Sequence, residues 1–174
     1  MIVVSLLLVA SVPCASNAQG FAGTWNLDNA QSKSAEFFDG EGLFLRIILD
    51  GGNKMTIEQV ATTEYDLRTT KTIVDLNGPE TTSIWPKGDL PVFGYEAVAI
   101  GNDQAVKTKA VQGSDKSSLE LTTYFTVVVS QGTYDIVLHS YYQLSSDGKT
   151  LTVTDTRDSR EHGEPVVYVF HRVD

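Results

Sequence analysis

The sequence predicts an all-β protein, an antiparallel up-and-down meander closed into one barrel of about 8–10 strands. Three observations lead there. Turn-forming pairs recur along the chain: Gly51-Gly52, Asn77-Gly78, Gly101-Asn102, Gly113-Ser114, Gln131-Gly132, Asp147-Gly148 and His162-Gly163. Such pairs supply the positive φ that short hairpins need. The segments between them are rich in Thr, Val, Ile, Leu and Tyr, as strands prefer. No stretch carries the period of an amphipathic helix, and the gaps leave no room for the helices of parallel βαβ units.

The first 18 residues stand apart from the fold. Ile2, Val3, Val4, Leu6, Leu7, Leu8 and Val9 form an apolar run, and Ser16-Asn17-Ala18 offers small residues for a signal peptidase. Residues 1–18 are therefore expected to be a signal peptide, and residues 19–174 a single barrel domain that starts at Gln19. A membrane anchor is the alternative, but the run is shorter than a bilayer span. Lipidation at Cys14 is another, with Pro13 standing where such signals use a small residue. Cys14 is the single cysteine, so cleavage after Ala18 leaves no disulfide, thiol chemistry or cysteine-bound metal.

Strand by strand, Gly23-Thr24-Trp25 opens the meander. A glycine permits close backbone approach, and a tryptophan two residues on shares its face. Residues 28–35 are the best helical candidate, a short turn. Residues 43–49 are apolar on both faces except at Arg46, which predicts a strand covered on both sides with Arg46 reaching the barrel rim. Residues 85–91 contain Pro86 and Pro91, which break the strand rhythm and predict a loop, an edge element or a lid over the barrel mouth.

The segments 119–129 and 134–144 can be tested against each other. The odd residues of the first and the even residues of the second are apolar. With Gln131-Gly132 as a two-residue loop, Val127 faces Ile136, Phe125 faces Leu138 and Thr123 faces Ser140. With Asp147-Gly148 as the next loop, Leu144 faces Leu151, Tyr142 faces Val153 and Ser140 faces Asp155. Three strands then share one buried face, and closure of the sheet removes its exposed edges.

That face carries a polar group. Thr123, Ser140, Asp155 and Arg157 fall among apolar neighbours, where a carboxylate needs a partner. Two readings stand: a structural polar layer, or the polar anchor of a ligand pocket. Phe44, Trp85, Tyr95, Phe125 and Tyr142 either line such a pocket, with Arg46 at its rim, or are plain core.

Charge and motifs exclude other classes. Asp and Glu outnumber Lys and Arg 22 to 13, for a net charge of −9, which repels phosphate backbones and anionic lipid surfaces. Nucleic acid and stable membrane insertion are not expected. There is no phosphate-binding glycine loop and no nucleophile elbow. His139, His162 and His171 do not have metal-ligand spacing. No catalytic residue, metal or cofactor is assigned, and the chain reads as a non-enzyme.

The run Phe21-Ala22-Gly23-Thr24-Trp25-Asn26-Leu27, the run Ser145-Ser146-Asp147-Gly148-Lys149-Thr150-Leu151, and the ending Tyr168-Val169-Phe170-His171-Arg172 resemble the lipocalin and calycin barrels. They resemble in particular exported bacterial lipocalin-like domains. The resemblance implies a barrel floor in which Trp25, beside Gly23, packs beneath Arg172 as a cation–π pair. It also implies an exported protein, periplasmic or extracellular, that binds a small apolar or amphipathic molecule inside the barrel. A second reading is a solid barrel whose surface, or the 85–91 loop, binds another envelope protein. A third uses Asp155 as the acid/base of a hydrolysis or isomerisation.

Overall fold

The computed structural model of the chain describes residues 20–33, 42–62, 67–90, 98–100, 103–129, 132–158 and 165–173. The leader with Cys14, the residue Tyr95, and the turns around Gln131 and His162 lie outside the described residues. The strands are β1 (Gly23–Leu27), β2 (Gly42–Leu49), β3 (Lys54–Thr62), β4 (Leu67–Asp75), β5 (Thr81–Trp85), β6 (Gly88–Leu90), β7 (Val98–Ile100), β8 (Gln104–Gln112), β9 (Ser118–Val129), β10 (Gly132–Leu144), β11 (Thr150–Arg157) and β12 (Val166–Val173). Ten of them form one antiparallel sheet in the order β4-β3-β2-β1-β12-β11-β10-β9-β8-β5. The first and last strands, β1 and β12, pair in its middle. Among the described residues, the small β6–β7 hairpin stands outside this sheet.

The two ends of this sheet meet without a regular ladder. Ile73 N donates to Ser83 Oγ at 2.8 Å, Thr81 Oγ1 donates to the Ile73 carbonyl at 2.6 Å, and Trp85 Nε1 donates to Thr72 Oγ1 at 3.2 Å. Leu76 adds a single bridge to Ala110. Side chains of β4 and β5 thus supply the bonds that a ladder would make, and the barrel is nearly closed. The all-β meander expected from the turn spacing is the observed fold.

Strand alternation fixes what faces inward. Leu43, Leu45 and Ile47 of β2, Met55 and Ile57 of β3, Leu119 and Leu121 of β9, Leu151 and Val153 of β11, and Tyr168 and Phe170 of β12 are all buried. The opposite faces are solvated. This corrects the expectation for residues 43–49, whose second face carries exposed side chains. Phe44, Ile48 and Leu49 are exposed, and Arg46 lies outside with Glu58 at 3.7 Å. Apolar residues on an outer face are normal, because surfaces remain largely apolar.

The β9–β10 register also needs correction. Phe125 pairs with Ile136, Thr123 with Leu138, Leu121 with Ser140 and Leu119 with Tyr142. The ladder runs on to Val129 and Gly132, with Gly132 at φ +146°. The loop therefore comes before Gly132, two residues of register from the expected place. A shift of two keeps every side chain on its face, so apolar matching alone does not discriminate between the two. The β10–β11 register is as expected, with Leu144 opposite Leu151, Tyr142 opposite Val153 and Ser140 opposite Asp155.

The segment after β1 is a turn. Asp28 Oδ1 accepts from the backbone N–H groups of Ala30 and Gln31 at 2.9 and 3.1 Å, and Ser32 N returns to the Asp28 carbonyl. The aspartate side chain thereby satisfies donors that a longer helix would leave free.

Candidate functional site

The end of the barrel where β1 begins is sealed. Trp25 is fully buried and its indole N–H donates to the Phe21 carbonyl at 3.0 Å. Arg172, its neighbour in register on β12, lies with its guanidinium carbon 4.1 Å from the ring centroid. Each guanidinium nitrogen has a carbonyl: Nε to Gly148 at 2.8 Å, Nη1 to Ala22 at 2.5 Å and Nη2 to Gly20 at 2.7 Å. Gly23 has φ +144°, and a Cβ there would collide with the Arg172 guanidinium. Glycine is needed at this position both for its backbone angle and for the space it leaves the arginine.

Midway up, the interior changes character. Gln59 of β3, Thr70 and Thr72 of β4, Thr108 of β8, Thr123 of β9, Ser140 of β10 and Asp155 of β11 form a polar belt. Most of its members are satisfied. Thr70 Oγ1 donates to Gln59 Oε1 at 3.1 Å, Thr72 accepts from Trp85, and the Thr108 and Thr123 hydroxyls lie 3.3 Å apart. Asp155 is the exception. It is 3% exposed, and neither carboxylate oxygen has a hydrogen-bond partner among the described residues. Burial pushes its carboxyl up to about 7, against the opposing pull of the Ser140 hydroxyl and the Arg157 guanidinium. Both groups are near enough to favour the charged form, yet neither bonds an oxygen in ordinary geometry. Tyr142, fully buried below Ser140, has its phenol pushed up by burial and by the Asp155 charge.

A void of about 20 Å³ lies in this belt, bounded by Gln59, Thr72, Trp85, Thr123, Ser140 and Tyr142, with Leu121 and Leu138. It holds about one water. Trp85 and Phe125 flank it on the side away from the floor, with ring centroids 5.4 Å apart. A second concavity lies outside, at the Trp25 end. It is an open bowl of about 730 Å³ that reaches Phe21, Met55, Leu76 and Leu144 between hairpin turns carrying Asn53, Asn77, Lys116 and Ser145.

The structure thus brings together Trp85, Thr123, Phe125, Ser140, Tyr142 and Asp155, with Arg157 beside them. It leaves Phe44 and Arg46 on the outer wall. Thr123 meets Leu138 and Thr108 instead of Ser140, a consequence of the corrected register. Trp85 was expected in a loop, an edge element or a lid, and β5 is the strand at one end of the sheet. Trp85 ends β5 and is buried at 4% exposure, because the prolines that break the strand come only after it. Gln59, Thr72 and Thr108 were not singled out from the sequence. The alternation Met55, Ile57, Gln59, Ala61 carries the signal for the first of them.

Among the described residues, no group of three or more His, Cys, Asp or Glu could hold a metal ion, and no helix is long and apolar enough to cross a membrane. No protein-family model matches the chain, and no curated protein does. Solved structures do. The chain is similar to fatty-acid-binding protein 1 of Echinococcus granulosus at 13% identity and TM-score 0.53, covering 90% of this chain and 99% of that one. It is similar to a point mutant of the fluorescent protein UnaG at 16% identity and TM-score 0.52, covering 90% and 98%. It is similar to secretory abundant heat soluble protein 4 of Ramazzottius varieornatus at 12% identity and TM-score 0.53, covering 90% and 96%. The fold is the nearly closed antiparallel barrel that these structures share. At these identities the likeness speaks to the fold alone.

Proposed function

We propose that this barrel is an exported carrier or receptor for a small apolar or amphipathic molecule held in its interior. One observation carries the reading. A barrel serving only as a scaffold is served best by an apolar interior, yet this one buries a carboxyl with no partner in a belt of hydroxyls and an amide. An unpaired buried charge costs several kcal/mol unless something completes it. A ligand whose polar end meets Ser140 and Asp155, and whose apolar part runs along Leu121, Phe125, Leu138 and Trp85, would complete it. Ligand sites are mostly apolar with a few fixed polar groups, and the belt has that composition. The fatty-acid-binding protein among the structural neighbours supports the reading through its fold.

The described void holds one water, so binding requires side chains to move apart. Export rests on the apolar leader and the small residues Ser16-Asn17-Ala18 that end it. Intact mass spectrometry of protein recovered from its native source, under native and denaturing conditions, tests both parts. The expected chain begins at Gln19 and carries a non-covalent small molecule, which a Leu121→Trp variant cannot retain. A chain that still bears its leader removes the export reading. A ligand-free wild type that takes up no apolar probe removes the carrier reading.

The open bowl supports a second reading. Its size is that of a ligand or peptide site, and it is built on hairpins rather than on the barrel interior. There an envelope protein partner would dock on the exposed Leu49 and the turns that carry Asn53, Asn77 and Lys116. Retention of partner capture by a Leu121→Trp variant distinguishes this reading from the first.

A further inference from the structure

The unpartnered carboxyl says more than that something binds. An ionised carboxylate only accepts hydrogen bonds. Around Asp155 the described strands offer the Ser140 hydroxyl opposite it on β10, the apolar Val166 opposite it on β12, and the buried Tyr142 one level lower. Arg157, the next inward position on β11, supplies charge nearby but no bond to either oxygen. Among the described residues, none of these groups donates a hydrogen bond to either Asp155 oxygen. We infer that the ligand's polar end is a hydrogen-bond donor group, of which a primary ammonium is the strongest case, received by Asp155 with Ser140 opposite it. The inference rests on the interior-ligand reading.

The geometry favours this choice over a carboxylate head. An ammonium brings three donors and one positive charge. One or two donors can meet the Asp155 oxygens, and the hydroxyl oxygen of Ser140 accepts another. A carboxylate head would set a second acceptor-only anion next to Asp155. Like charges at close range in a poorly solvated site repel strongly. Arg157 is the group that could offset this, so the test must let it do so.

The test compares decylamine with decanoate, each held below its micelle concentration, on delipidated full-length chain at pH 8 by calorimetric titration. The amine is expected to bind at least about tenfold tighter than the acid, the scale of one charge-assisted bond. Asp155→Asn should erase that preference, and Ser140→Ala should reduce it while the fold, followed by circular dichroism, persists. Acid binding as tight as amine binding would overturn the inference and leave the interior-ligand reading standing. Binding of neither probe would overturn both.

Discussion

Two interior charges in this barrel sit about as differently as charges can. Arg172 at the floor has a carbonyl for every guanidinium nitrogen and an aromatic ring beneath it. Asp155 in the belt has no hydrogen bond to either oxygen among the described residues. The contrast teaches where the chain spends its precision. The floor is over-determined: glycine, tryptophan and arginine each leave room for or bond to the others, and replacing one affects all. The belt is under-determined, and a group left incomplete in the folded protein is one that a second molecule can complete.

The largest expected effect breaks the floor. Trp25→Ala removes a fully buried indole, its bond to Phe21 and the surface on which Arg172 lies. Substitutions of this type in cores cost about 3–5 kcal/mol, a large part of the stability of a domain this size. Urea unfolding should show the midpoint collapse. A shift within error of zero would mean that the floor is not what seals the barrel.

The next effect has the opposite sign and tests the belt. The unfolded Asp155 carboxyl releases its proton near 3.8, whereas the folded one holds it up to about 7. Between those values the folded state binds more protons than the unfolded one, so stability falls as pH rises. At 1.36 kcal/mol per unit the full penalty is on the order of 4 kcal/mol. Asp155→Asn has no charge to desolvate. Its stability should stay level between pH 4 and 7, where the wild type declines, and should exceed the wild type above pH 7. Asp28, Asp115 and Asp147 have carboxyls held below their usual range by local hydrogen bonds, so their contributions are lost only as pH falls below about 4. The two windows are therefore separable in one pH series of thermal melts. Parallel curves for wild type and variant from pH 4 to 7 would remove the buried-charge account of Asp155.

How much of this was legible depends on which signal was read. The meander and its faces follow from turn spacing and alternation, both local properties of the chain. The Ser140–Asp155 apposition follows because the loop after Leu144 carries an Asp-Gly pair in its expected place. The β9–β10 register was missed by two residues because side-chain matching repeats with that period, and only whether Gly132 lies in the turn or opens β10 separates the alternatives. Phe44 and Arg46 were misplaced because an apolar outer face reads like a covered one. Nothing in a sequence states that no second layer lies above a strand. The belt was half legible: one residue type per strand suffices to place Ser140 and Asp155, but Gln59, Thr72 and Thr108 belong to it only once β3, β4 and β8 are aligned around the barrel.

The smallest expected effect sharpens the comparison from outside the barrel. Arg46 is paired with Glu58 at 3.7 Å, and Glu58 also meets Lys71 at 3.4 Å. The arginine side chain is mostly exposed, so water screens the pair and Lys71 remains when Arg46 is gone. Exposed pairs of this kind contribute about 0.2–1 kcal/mol. Arg46→Ala should therefore change the urea midpoint by about 0.5 kcal/mol or less and leave probe uptake unchanged. Three charged residues on one sheet would then span the range: Arg172 completed by backbone, Asp155 left for a ligand, and Arg46 completed by water. A loss of uptake in Arg46→Ala would instead return this residue to the site and place its entrance on the β2–β3 wall.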